Sequence, residues 1–264
     1  MRLSGKTALI TGASGGIGLE LAKLFAQNGC HLVLVARREE TLKTLGREWE
    51  SQYGIEVTEI ATDLGRVSAP DDVAVRLLRE RIQVDIVVNN AGFGVYGSFA
   101  TTDLKAELDL IQVNITALTH LTKLFLPGMV SRGYGKILNV ASTAAFQPGP
   151  LMAIYYASKA YVVSFSEALA SELRGTGVTV TALCPGPTRT EFHVRAGIGH
   201  TKLMSGQGMT ARSVAVEGYD GLMRGDAVVI PGFRNRLLAT LVRWLPRTLV
   251  VESVKRIQAD RRAP

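Results

Sequence analysis

At 264 residues the chain suits one α/β domain with a generous core, and glycine, proline and serine do not cluster into a linker, repeat or low-complexity tract. Its formal charge is +7, but eight basic residues from Arg234 onward against Glu252 and Asp260 put +6 of that in the last thirty or so positions. The rest is almost neutral, which excludes the basic stripe that a nucleic-acid-binding body requires. No apolar run reaches the roughly 18 residues of a membrane span, and the first strand begins too early to leave room for a signal peptide. Cys30 and Cys184 border apolar runs and read as buried thiols in a reducing compartment, not as a redox pair.

In chain order, Thr7–Thr11 is a short apolar strand followed at once by Gly12-Ala-Ser14-Gly-Gly16-Ile17-Gly18, then by Leu19, Ala22, Leu24, Phe25 and Ala26 at helical spacing. A strand, a glycine-rich turn and a helix N-terminus make a phosphate site, because free N–H groups and the helix dipole face the anion. The spacing is Thr-Gly-x-x-x-Gly-x-Gly rather than Gly-x-Gly-x-x-Gly; the alternative is a tight turn with no ligand. The helix spans 16–28 and ends at Gly29. A second strand, His31–Ala36, ends in Ala36-Arg37-Arg38. An acidic residue at that tip would bind the adenosine ribose and repel a 2′-phosphate, whereas two guanidiniums suit the phosphate. Cations at the following helix start also oppose its dipole and call for a counter-anion. NADP(H) is therefore expected over NAD(H).

Further along, strands are predicted at 56–61, 85–89, 136–140, 178–184 and 227–230, with helices at 39–53, 70–82, 104–126 and 154–174. Pro70 with Asp71 and Asp72 is a helix start, and Gly175 a helix stop. This alternation predicts a doubly wound parallel seven-stranded sheet of order 3-2-1-4-5-6-7, helices on both faces, and ligands beyond the strand C-termini. Ser142 ends the strand run from Lys136. Tyr155 and Lys159, at i and i+4, share one helix face, where a cation would pull the phenol pKa down from about 10. A hydroxyl, a tunable phenol and a lysine are what reversible proton transfer to a carbonyl oxygen needs.

From Leu3 to Gly232 the sequence resembles the short-chain dehydrogenase/reductase family: Thr11–Gly18, Asn89-Asn90-Ala91-Gly92, Asn114, Ser142, Tyr155, Lys159 and Pro185-Gly186 stand in its order. The resemblance implies a Rossmann-type fold and a catalytic tetrad of Asn114, Ser142, Tyr155 and Lys159. In it Tyr155 is the acid/base, Ser142 holds the carbonyl oxygen, Lys159 bonds the nicotinamide ribose and Asn114 holds a water. It also implies cofactor contacts by Gly12, Ser14, Gly16, Ile17, Gly18, Asp63 (adenine), Asn90 (ribose) and Thr188 (carboxamide). A turn aspartate and a structural asparagine are the alternatives for Asp63 and Asn90, and Asn89 reads as structural. His31, His120, His193 and His200 form no ligand-spaced cluster, so no metal is expected.

One domain is expected over 1–264. Phe93, Val95, Tyr96, Phe99, Phe146, Leu151, Met152, Ile154 and Phe192 suggest apolar walls for a hydrophobic carbonyl or alcohol. Residues 190–225 read as a lid, its glycine-rich part being 192–207. Residues 233–264 read as a basic helical extension, with Leu237, Leu238, Leu241 and Leu245 beside Trp244, a break at Pro246, then Val250, Val254 and Ile257. These stripes suit either an anionic membrane surface or, with more weight, a cover for the cleft or a subunit contact. A cytoplasmic homodimer or homotetramer, peripheral to a membrane at most, is expected. A non-catalytic NADPH sensor or a membrane-surface scaffold is the alternative, and neither needs Tyr155 or Ser142.

Overall fold

A computed structural model of the chain describes residues 3–192, 196–197 and 208–259. Seven parallel strands, β1 (Thr7–Thr11), β2 (His31–Ala36), β3 (Val57–Ala61), β4 (Ile86–Asn89), β5 (Gly135–Val140), β6 (Val178–Leu183) and β7 (Val228–Val229), form one sheet of order β3-β2-β1-β4-β5-β6-β7. Leu9 pairs with Val33 on one side and Val87 on the other, so the chain reverses its winding between β1 and β4. That switch opens a crevice at the strand C-termini.

The strands read as unbroken apolar runs because both faces are covered. Ala8, Ile10, Leu32, Leu34 and Val88 point to one layer, against Leu21 and Phe25 of α1 (Gly16–Gln27), Leu42 and Trp49 of α2 (Glu39–Tyr53) and Val214 and Leu222 of α7 (Ala211–Arg224). Leu9, Val33, Val35, Val87 and Ile137 point to the other, against Val73 and Leu77 of α3 (Ala69–Arg79) and Leu121 and Met129 of α5 (Leu118–Ser131). Each such side chain contributes roughly 1.5–3 kcal/mol on burial. α6 (Ala153–Glu172) packs Val162 and Val163 against Ala182 and Cys184.

Two expectations change. The helix expected at 104–126 is α4 (Leu104–Ile111), a π-helical segment (Gln112–Ala117) and α5, which runs through Pro127 to Ser131. Proline removes one ladder bond, but Met129 is fully buried beyond it and Arg132 donates to the Val84 carbonyl at 2.8 Å, which secures the end of the helix. The lid expected at 190–225 divides: 211–224 is α7, packed into the core through Val214, Ala215, Tyr219 and Leu222, so it belongs to the fold. Most of the glycine-rich part, 193–195 and 198–207, lies outside the described residues. Before it Thr188–Arg189 pairs in parallel with Met209–Thr210. The C-terminal extension is helical: α8 (Phe233–Leu241), a 3₁₀ turn (Val242–Trp244) and α9 (Arg247–Gln258), with Pro246 capping the last. No described helix is long and apolar enough to cross a membrane.

Candidate active site

A cleft of about 550 Å³ follows the C-terminal edge of the sheet from β3 to β6. One end is built by the β1–α1 turn. Gly12 adopts φ +66°, and a Cβ there would come within 2.7 Å of the Asn90 amide nitrogen; a Cβ on Gly18 would come within 2.5 Å of the Gly12 carbonyl. Only glycine lets this turn fold so tightly against the next one, bringing the N-terminus of α1 to the cleft wall. Gly12, Ser14, Gly16 and Ile17 line the cleft, with Arg37, Arg38, Asp63 and Asn90. Gly18 lies behind them, against Gly12 and Asn90.

Several of these polar groups already have work within the fold. The Asn90 amide nitrogen donates to the Thr11 carbonyl at 2.9 Å, tying β4 to the glycine turn, and Asp63 Oδ1 accepts from the Gly65 N–H at 2.9 Å. Asn89 donates to Asn139 of β5 and to Thr122 of α5. Arg38, capping α2, reaches back to the Ser14 hydroxyl and carbonyl and pairs with Glu191 at 3.2 Å. The counter-anion anticipated at this helix start is therefore present within the chain, in part, as Glu191. Nothing in the local sequence around Arg38 pointed to a residue 153 positions away.

At the other end Ser142, just past β5, caps a 3₁₀ turn by accepting from the Ala144 N–H at 3.1 Å and donates to the Pro185 carbonyl at 3.4 Å, and it lies close enough to the Tyr155 phenol to lower its pKa. Lys159 lies on the same face of α6, its Nζ 5.8 Å from the Tyr155 ring centre and donating to the Val140 carbonyl at 2.8 Å. Helical spacing brings these groups together as expected, but their ionisation reverses the expectation. Burial pushes the Tyr155 phenol up to about 12, with Ser142 pulling the other way, and the same burial lowers Lys159 to about 8. Desolvation disfavours each charged form more than the neighbour restores it. Lys159 does not pull the phenol down here.

Asn114 sits in the π-helical segment, 1% exposed rather than solvated. Its amide accepts from the Phe93 N–H at 3.1 Å and donates to the Phe93 carbonyl at 3.0 Å and the Ser158 hydroxyl at 3.1 Å; Ser158 in turn donates to the Tyr155 carbonyl. One side chain thus ties the β4 loop to α6, and the extra residue of a π turn re-aims it inward. The Thr188 hydroxyl lines the cleft and donates to the Gly186 carbonyl at 2.9 Å.

Of the expected apolar walls, Phe93, Met152 and Phe192 line the cleft, and the Phe192 ring lies 5.4 Å from that of Tyr155. Tyr96 packs in the same cluster, beneath Val250 and Val254 of α9. Phe146 packs into the core beside α6 and under the Arg243 guanidinium, and Phe99 is left exposed. Val95, Leu151 and Ile154 do not reach the cleft surface. Periodicity did not reveal Gln258, whose buried amide donates to the Tyr156 hydroxyl while its backbone carbonyl accepts from Tyr96 at 2.8 Å. Both cysteines are buried with pKa values raised to about 12, which leaves them inert as nucleophiles. Among the described residues no three His, Cys, Asp or Glu side chains gather as a metal site.

Residues 6–198 match the family described as short chain dehydrogenase. The chain belongs to that family. A short chain dehydrogenase of Pseudocercospora fijiensis is 38% identical over 193 residues, covering 72% of this chain and 62% of its own length. A very-long-chain 3-oxoacyl-CoA reductase of Anas platyrhynchos is 34% identical over 220 residues, covering 76% of this chain and 70% of its own. The chain thus spans under two thirds of the length of the first of these relatives and somewhat more of the second. A solved short-chain dehydrogenase from Sphingobium yanoikuyae in complex with NADPH superposes with a TM-score of 0.82 at 35% identity, over 98% of this chain and all of that one. This short-chain dehydrogenase is an oxidoreductase of a nicotinamide-using family, and the glycine turn, which a Cβ would block, fits that cofactor.

Proposed function

We propose that the chain is an NADP(H)-dependent oxidoreductase acting on a hydrophobic carbonyl or alcohol, with Tyr155 as its acid/base. The observation that carries this reading is that Ser142, Tyr155 and Lys159 converge, with Lys159 on the same helix face as Tyr155, at one end of a cleft whose other end is the glycine turn and Arg37–Arg38. Asn114 completes the tetrad by holding the Phe93 loop against the Tyr155 helix. The dinucleotide would be held by Gly12, Ser14, Gly16, Ile17 and Gly18 around its phosphates, by Arg37 and Arg38 at the 2′-phosphate, by Asp63 and Asn90 near the adenosine, and by Lys159 and Thr188 near the nicotinamide. When bound, the nicotinamide supplies or accepts the hydride.

The chain's own residues do the rest. The Ser142 hydroxyl and the Tyr155 phenol converge on the position of a carbonyl oxygen, and the phenol, protonated across the neutral range, gives that oxygen its proton. Lys159, at about 8, is the nearer group to titration and returns a proton to the phenolate. Phe93, Met152 and Phe192 exclude water and favour an apolar substrate. The NADPH complex of the Sphingobium relative supports the cofactor, and the name of the Anas relative supports a ketone on an acyl chain as one member of the substrate class. The intact Ser142–Tyr155–Lys159 geometry weighs against a cofactor-binding sensor with no chemistry.

Tyr155→Phe tests the reading, because it removes the proton and keeps the ring. Turnover of NADPH with a panel of hydrophobic aldehydes and ketones should fall about 10²–10⁴-fold while NADPH still binds. Turnover within threefold of the parent would end the assignment.

A further inference from the structure

The two apolar stripes of the C-terminal segment face opposite ways. Val250 and Val254 of α9 are buried, and with Val242 they pack in one cluster with Met152, Tyr156 and Phe192, which line the cleft. Phe233, Leu237, Leu238, Leu241, Trp244, Leu245 and Leu249 stand in solvent, Phe233 at 77% and Trp244 at 82% exposure. Scattered apolar side chains are normal on a surface, but this many on one short segment form a continuous patch of the kind that marks an interaction site. Exposed Arg234, Arg236, Arg243 and Arg247 surround it, and from 233 to 251 there is no Asp or Glu.

We propose that α8, the Trp244 turn and the start of α9 dock on an anionic lipid surface. Charge decides between occupants. A two-fold contact with a second copy would set Arg234, Arg236 and Arg247 against their own counterparts with no carboxylate between them, which is repulsive. An anionic bilayer supplies opposite charge over the whole patch, an apolar layer for the leucines and an interfacial layer for Trp244. Arg243 lies over the Phe146 ring, 5.6 Å from its centre, and so fastens the lipid-facing turn to the segment that carries Ser142. The same stretch of chain is lipid-facing outside and packed inside on the cleft-lining Met152, Tyr156 and Phe192, so an apolar carbonyl dissolved in the bilayer would have a short path to the cleft. That path rests on the function proposed above; the docking does not.

Co-sedimentation of the full chain with phosphatidylcholine vesicles, with and without about one third phosphatidylglycerol, tests the docking. Each basic residue near such a surface strengthens binding about fivefold, so the triple variant Arg234→Gln/Arg236→Gln/Arg247→Gln should bind the anionic vesicles on the order of 100-fold more weakly. Raised salt should act in the same direction. Trp244→Ser/Leu249→Ser should weaken binding with all four arginines in place, and unchanged circular dichroism and NADPH affinity would show both variants folded. Equal binding to the two vesicle types, no binding at low salt, or indifference to the arginine substitutions would overturn the proposal. A dimer in light scattering that Leu237→Ser/Leu241→Ser converts to monomer would assign the patch to self-association instead.

Discussion

Glu191→Gln should tighten NADPH binding and leave NADH binding where it was. Arg38 lies against the glycine turn through Ser14 and pairs with both Glu191 oxygens at 3.2 and 3.3 Å, with the two side chains 40% and 58% exposed. An ion pair that open to water is worth about 0.2–1 kcal/mol, so Arg38 can exchange the carboxylate for a phosphate at little loss. The carboxylate would nonetheless remain a few ångströms from a ribose 2′-phosphate held by Arg37 and Arg38. Two unit charges about 4 Å apart in water repel by about 1 kcal/mol, and the phosphate carries more than one. Removing the Glu191 charge should thus favour the phosphorylated cofactor by about 1–2 kcal/mol, a 5- to 30-fold lower dissociation constant. Calorimetric titration of both cofactors measures it, and Arg38→Ala supplies the second arm: in its background Glu191→Gln should lose most of its benefit. Equal tightening of NADH and NADPH would refute the reasoning, since it would place the Glu191 charge near the shared pyrophosphate rather than the 2′-phosphate.

Two further outcomes are expected. With Tyr155 near 12 and Lys159 near 8, carbonyl reduction should decline as pH rises through about 8, where the ammonium that re-protonates the phenol is lost; Lys159→Arg should move that limb of kcat/KM upward, and an unmoved limb would remove Lys159 from the assignment. The stability sign for the same lysine is opposite: its folded pKa lies below 10.5, so the unfolded chain binds more protons between about 8 and 10.5 and the lysine's contribution to stability rises over that window. Tyr156→Phe should destabilise the fold by about 1–3 kcal/mol by leaving the buried Gln258 amide unpaired, and adding Gln258→Leu should recover much of it in thermal unfolding. A double variant no more stable than the single one would mean that the contact is not the link between α9 and the cleft.

The parts of this structure legible in the sequence are those set by short-range periodicity. Ala8 and Leu9 enter opposite layers because they are neighbours in a strand, and Tyr155 and Lys159 meet because they are four apart in a helix. Glycines of the first turn are legible because the chain itself has to pass within 3 Å of where their side chains would be. What stayed hidden depends on burial or on distant partners. Gln112–Ala117 has no composition that distinguishes a π turn from the α-helix on either side, yet that turn brings Asn114 to Phe93. The i, i+4 spacing correctly put a cation beside a phenol, but only the packed structure showed how far the pair is desolvated, and that reversed the direction expected for the phenol. The C-terminal stripes are alike in sequence, and only tertiary packing shows that Val250 and Val254 are buried against Met152 and Tyr156 while Leu241 and Leu245 are exposed.

That burial bears on how the proton must be handled. A phenol pushed up to about 12 rests protonated at neutral pH. Donation to a carbonyl oxygen would start from that form, with Ser142 pulling the phenol pKa down and Lys159, at about 8, close enough to its own titration to restore the proton. Donation to a carbonyl oxygen leaves the same phenolate that alcohol oxidation would start from, so burial disfavours that species in both directions. The burial that made a simple charge argument fail for Tyr155 therefore leaves either direction dependent on Ser142 and Lys159 to offset it. α9 contributes to that burial by packing Val250 and Val254 in one cluster with Tyr156, the ring edge-on beside Tyr155.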